Sequence, residues 1–125
     1  MDPLVTDFGL GNFFDTGYID YIVVNEKEAG YCAKFIFVFD GQTLPVHHHQ
    51  TKHETFFIQK GKVKMSFGGD TFEMREGDRL VVEPGNNHSF IGLGPALVLE
   101  VSQPSFAEDN YFENTRIPLG GNYRE

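Results

Sequence analysis

The stretch GQTLPVHHHQTKHETFFIQKG, residues 41–61, holds four of the chain's 5 histidines: His47, His48, His49 and His53. A carboxylate, Glu54, follows the last of them directly. Residues two apart on an extended strand point to the same side. His47 and His49 therefore share a face and His48 opposes them. An extended run that begins at Lys52 puts Lys52, Glu54, Phe56 and Ile58 on one face as well. A surface cluster or a tag would also gather histidines, but this triplet is internal and sits in a strand–turn pattern. The alternative is a metal site.

Working outward, the chain is a series of short apolar or alternating runs broken by turn residues. Residues 17–25 (GYIDYIVVN) read as one strand. Residues 30–41 (GYCAKFIFVFDG) read as another, with Tyr31, Ala33, Phe35, Phe37 and Phe39 on one face. Residues 54–74 contain three short runs. The first turns at Lys60-Gly61-Lys62, and the last two are joined by a Gly68-Gly69-Asp70 hairpin signal. Residues 75–92 give turn, strand, a Pro84-Gly85-Asn86-Asn87 turn and a further strand, and residues 95–103 (PALVLEVSQ) a final strong one. No convincing amphipathic helix is present. The fold class is all-β, a sandwich or barrel. Residues 1–29 read as N-terminal strands and dimer arm, 30–103 as barrel core and 104–125 as a C-terminal extension, loose after Pro118.

A chain of 125 residues is one domain with a core of its own. Its net charge of -8 argues against nucleic acid and against an anionic membrane surface. No apolar run approaches the length of a membrane span, and residues 1–9 (MDPLVTDFG) show no export signal. Cys32 is the single cysteine. It reads as a buried or half-buried structural thiol in a reducing compartment, the cytoplasm.

If the His47/His49 face lines a small barrel, Glu54 adds an oxygen from a neighbouring strand. His88, after the Pro84–Asn87 turn, can fold back beside them. Three nitrogens and one oxygen suit a divalent cation and leave positions open for a ligand. Any one histidine is more often a surface or core residue than a ligand. His48 reads as outward-facing and His53 as a turn or rim residue.

The spacing resembles the two motifs of the cupin superfamily. Gly41, five residues, His47-His48-His49, four residues, Glu54, six residues and Gly61 meet every fixed position of the first. Gly77, five residues, Glu83-Pro84-Gly85, two residues and His88 follow the second, with Glu83 in place of its first proline and Gly92 in place of its asparagine. The resemblance covers roughly residues 30 to 103. It implies a double-stranded β-helix, the jelly-roll barrel, with His47, His49, Glu54 and His88 as metal ligands at its mouth. The wording around these motifs is similar to D-lyxose isomerases and their sugar-isomerase relatives. It is also similar to the cupin tail of sialic acid synthases. The isomerase resemblance implies a divalent ion, manganese first, with iron, zinc, nickel or cobalt as alternatives. It implies an aldose–ketose interconversion through an enediolate held on that ion.

Such a reaction needs a base that carries a proton between adjacent carbons. Glu100, alone among apolar residues in ALVLEVS, is the candidate, because a buried carboxylate is costly unless it serves a partner. A solvent-facing glutamate that merely punctuates the strand is the bland alternative. Lys52 is the second candidate, as a donor to a sugar oxygen, against the usual solvated turn lysine. Two other functions fit the same ligands. One is an iron dioxygenase and the other a non-catalytic sugar-binding cupin. By the same resemblance the chain is expected to be a homodimer formed by strand exchange at a sheet edge. Phe8, Phe13 and Phe14 suit a dimer seam or barrel packing equally.

Overall fold

A computed structural model describes residues 3–121 of the chain. The expectation of a loose end therefore lies partly outside the described residues, at 122–125. The fold is all-β. In chain order the strands are β1 (Leu4–Thr6), β2 (Tyr18–Glu26), β3 (Tyr31–Val38), β4 (Thr43–His48) and β5 (Glu54–Lys60). Then come β6 (Lys62–Phe67), β7 (Asp70–Arg75), β8 (Arg79–Val82), β9 (His88–Gly92), β10 (Ala96–Ser102) and β11 (Tyr111–Phe112). One short 3-10 turn, Ala107–Asp109, precedes β11.

Two antiparallel sheets face each other. One runs β1-β2-β3-β10-β5-β8, the other β11-β4-β9-β6-β7. This is the double-stranded β-helix the motif spacing implied. Strands β6 and β7 form the expected hairpin. Phe67 pairs with Asp70 across a two-residue Gly68-Gly69 loop, and both glycines have positive φ, as a type I′ turn requires. The Gly61 turn is of another kind, since it carries the chain from one sheet to the other. A Cβ there would stand 2.3 Å from the Pro95 carbonyl oxygen, so the motif's closing glycine answers a close backbone approach.

The core fills the space between the sheets. Ile36, Val38, Phe56, Ile58, Val63, Met65, Phe90 and Val98 form its body. Phe8 is fully buried and packs on Tyr18 and Phe112, which settles its role as barrel packing. Phe13 and Phe14 lie against Phe39 near the β3–β4 turn. The aromatic face of β3 points out of the barrel. Cys32, Lys34, Ile36 and Val38 point in. Both faces of this strand carry apolar side chains, so alternation alone does not say which is inside.

Down the inner face of the six-stranded sheet the chemistry changes by layer. Tyr18 and Val38 lie at the apolar end. One level up, Ile36 pairs with Asp20 and with Val98, which pairs with Ile58. Above them Lys34 and Phe56 flank Glu100. The top layer holds Cys32, Ser102 and Glu54. Polar groups thus gather at one end of the barrel, opposite the histidines of the other sheet.

Candidate metal centre

His47 and His88 are direct cross-strand partners of β4 and β9. The register of this pair shifts between Leu44 and His47, where Pro45 interrupts the backbone donors. The freed carbonyl is used: His47 Nδ1 lies 2.8 Å from Pro45 O. His88 Nδ1 makes the same contact with Asn86 O at 2.9 Å, and His49 Nδ1 with Asp109 O at 3.0 Å. A carbonyl only accepts, so each Nδ1 carries a hydrogen, and in a neutral ring Nε2 is then the lone pair. One ring nitrogen from each of His47, His49 and His88 lies within 4.8 Å of the others, and all three residues are buried.

Glu54 enters from the opposite sheet. Its Oε2 is 2.9 Å from His49 Nε2 and 3.2 Å from His88 Nε2. For neutral rings these approaches are lone pair against lone pair. His49 Nε2, His88 Nε2 and both Glu54 carboxylate oxygens are buried with no hydrogen-bond partner among the described residues. Buried polar atoms are seldom left this way. A cation between them would satisfy all four at once, and the donor set of imidazole nitrogens and one carboxylate fits a divalent ion.

The electrostatics agree. Burial, then the neighbouring His88 and His49, hold His47 well below the ordinary imidazole range and so neutral. Burial by itself would raise Glu54, but the neighbouring Lys52 ammonium outweighs it and helps keep the carboxylate well below its usual range. Neutral imidazoles and an ionised carboxylate are the forms that ligate.

The other two sequence-derived residues stand directly beside the centre. Lys52 Nζ is 3.0 Å from Glu100 Oε2 and 3.7 Å from Glu54 Oε1, and it donates to Ser105 Oγ at 3.2 Å. Glu100 Oε2 also accepts from Ser102 Oγ at 3.2 Å. Lys52 is 4% and Glu100 3% exposed. His48 faces away and stacks on Tyr111, and His53 is exposed, both as their positions implied.

Three participants were not read from the sequence. Asp109 folds the 50–52 turn. Its carboxylate accepts from the backbone N–H of Gln50 (2.9 Å), Thr51 (3.3 Å) and Lys52 (3.2 Å) and from Thr51 Oγ1 (2.7 Å). Those bonds outweigh the burial that would raise it and hold it below the usual carboxylate range. The other two, Lys34 and Asp20, form a buried pair at 3.5 Å. Inward parity with Glu100 was the available signal for Lys34.

A family model described as the cupin domain matches residues 35–102, more than half of the chain. The chain belongs to the cupin family. Among curated cupin relatives, the D-lyxose/D-mannose isomerase of Thermosediminibacter oceani is 32% identical over 90% of this chain and 77% of its own. The D-lyxose ketol-isomerase of Cohnella laeviribosi is 30% identical over 90% of this chain and 76% of its own. Among solved structures, the L-ribose isomerase of Acinetobacter sp. DL28 in complex with L-ribose superposes with a TM-score of 0.76 at 17% identity, covering 84% of this cupin and 73% of that chain. KdgF from Halomonas sp. superposes at 0.71 and 18% identity, covering 85% and 88%. At such identities the structural likeness speaks for the cupin barrel alone.

Proposed function

We propose that this cupin is a metal-dependent aldose–ketose isomerase acting on a small sugar, with D-lyxose the first substrate to try. The observation that carries the reading is the convergence of His47, His49 and His88 on Glu54, with His49 Nε2, His88 Nε2 and both Glu54 oxygens lacking a hydrogen-bond partner among the described residues, beside a buried Glu100–Lys52 pair. The isomerase relatives above support it. Manganese is the first metal to test, with iron, zinc, nickel and cobalt behind it.

When bound, the ion would act as a Lewis acid toward the sugar carbonyl and the neighbouring hydroxyl. The residues supply the rest. Glu100 is the base: it takes the proton from carbon 2 of the aldose and returns it to carbon 1. In the same interconversion oxygen 2 loses a proton and oxygen 1 gains one. Lys52, hydrogen-bonded to Glu100 Oε2, is the group placed to exchange those oxygen protons. Asp109 fixes the turn that aims Lys52, and its carbonyl sets the tautomer of His49.

Ketose formation from D-lyxose, D-mannose and L-ribose by metal-loaded protein, followed with and without oxygen, tests the reading. Conversion that ignores oxygen supports it. Oxygen-dependent consumption of a substrate would favour the dioxygenase, and sugar binding without turnover the binding module.

The active form is a homodimer in this reading. The outer face of the six-stranded sheet carries the row Tyr21, Phe35, Leu99 and Phe57 beside exposed Val101 and Val81. Two copies can bury this apolar row against each other. The buried lone thiol, Cys32, suits a cytoplasmic location, and no helix among the described residues is long and apolar enough to cross a membrane.

A further inference from the structure

Two small cavities adjoin Lys52, beside the metal centre. The first, about 10 Å³, is lined by His47, His49, Lys52 and Glu100 together with Lys34 and Asn110. The second, about 20 Å³, is lined by Asp20, Ser105, Lys34, Lys52 and Asn110. Each is of the size of one water molecule. They share Lys34, Lys52 and Asn110, so those three side chains form the partition between a chamber touching the imidazoles and a chamber touching Asp20.

Asp20 is out of place as a purely structural residue. It sits in the apolar run YIDYIVV and is 1% exposed. Its Oδ2 meets Lys34 Nζ at 3.5 Å, a long contact, and its Oδ1 is buried with no hydrogen-bond partner among the described residues. Leaving a buried acceptor bare is costly, and an apolar residue at this barrel position would avoid the cost. Burial raises the Asp20 carboxyl, while Lys34 pulls it back. The side chain is therefore buried beside a cavity with one oxygen unused.

We infer that Asp20 is a specificity-determining residue: its free Oδ1 accepts a hydroxyl hydrogen from the end of the sugar chain remote from the metal centre. The inference rests on the isomerase reading for the identity of the ligand. The remote end of a polyol held at the imidazoles passes Lys34 and Asn110 to end at Asp20, with Lys52 kept on Glu100. Ser105 and Asn110 offer further polar groups along the same wall. A ligand that lacks the remote hydroxyl leaves Asp20 as it is now, buried and half satisfied. That penalty against the deoxy ligand is what makes the position selective.

The test uses binding of D-lyxitol, the non-reacting alcohol of lyxose, and of 5-deoxy-D-lyxitol, measured by calorimetry on the metal-loaded protein. The wild-type chain is expected to bind the full polyol about 10-fold or more tightly than the deoxy compound. Asp20→Ala should bind both equally while keeping its metal content. Asp20→Asn, which keeps an acceptor without the charge and guards against a folding defect in the alanine variant, should recover part of the preference. Equal binding of the two polyols by the wild type, or full discrimination retained by Asp20→Ala, would overturn the assignment. Turnover of D-lyxose is measured alongside. Turnover without polyol discrimination removes the Asp20 subsite and leaves the isomerase. Discrimination without turnover removes the isomerase and leaves Asp20 as the selective end of a polyol-binding site. Binding of neither polyol overturns the subsite.

Discussion

His47 and His88 face each other across the β4–β9 pair with ring centroids 4.3 Å apart, each with Nδ1 tied to the carbonyl two residues before it on its own chain. Rotation of either ring is blocked by that bond, so both Nε2 lone pairs are committed to the barrel interior before any ion arrives. Such preorganisation should make the site tight and stoichiometric. One equivalent of a divalent ion is expected per chain by elemental analysis after dialysis. His47→Ala, His49→Ala and His88→Ala should each weaken retention by more than about 100-fold. Full retention by His49→Ala would remove it from the ligand set.

Lys52 stands between two buried carboxylates, Glu54 and Glu100. Truncating one member of such a group leaves the others uncompensated, at about 3–5 kcal/mol. Lys52→Met is therefore expected to lower the melting temperature of the metal-free protein by on the order of 10 °C. Added divalent ion should restore part of the loss, because a cation at Glu54 replaces the missing ammonium. A melting temperature equal to that of the wild type would show that Lys52 is not held in this contact.

Acid should destabilise the metal-free protein in a defined window. His47 in the folded state is depressed below its ordinary 6.5 by burial and by its imidazole neighbours. The stability it contributes is complete above pH 6.5 and is lost as pH falls toward the folded value, because the unfolded chain binds the proton first. Glu54, depressed below its ordinary 4.5, acts with the same sign at lower pH. Melting temperatures of chelator-treated protein should fall steadily below pH 6.5, and His47→Asn should fall less steeply between that point and pH 5. A wild-type profile that is flat or rises in acid would contradict the assignment of a neutral His47.

The proposed homodimer has its own readout. Sedimentation should give a dimer for the wild type. Val101→Glu, which places a carboxylate in the outer row opposite a second copy, should give a folded monomer. A wild-type monomer would end that reading.

The legible part of this protein is the part governed by local rules. The two-residue period put His47 and His49 on one side and His48 on the other. The turn residues marked the hairpin at Gly68-Gly69 and the strand that starts at His88. Glu100 stood out because a charge in ALVLEVS has no local reason to be there. Lys34 and Asp20 obey the same logic but lie in KFIFVF and YIDYIVV, where both strand faces are apolar. The aromatics at Phe35 and Phe37 line the outer surface, so the side with the larger residues is not the inner one. Asp109 was out of reach for a different reason. Its partners are the Gln50–Lys52 turn, 57–59 residues away in sequence, and no short-range pattern announces a contact of that kind.

The central claim is that Glu100 moves the proton beside an ion held by His47, His49, Glu54 and His88. Glu100→Gln separates the two parts, since the amide keeps the shape and the Lys52 contact but cannot accept the proton. The decisive measurement is D-lyxose-to-ketose turnover of this variant at verified metal occupancy. One equivalent of metal with turnover reduced by about 10²–10⁴-fold is the expected result. Wild-type turnover by the same metal-loaded variant would contradict it.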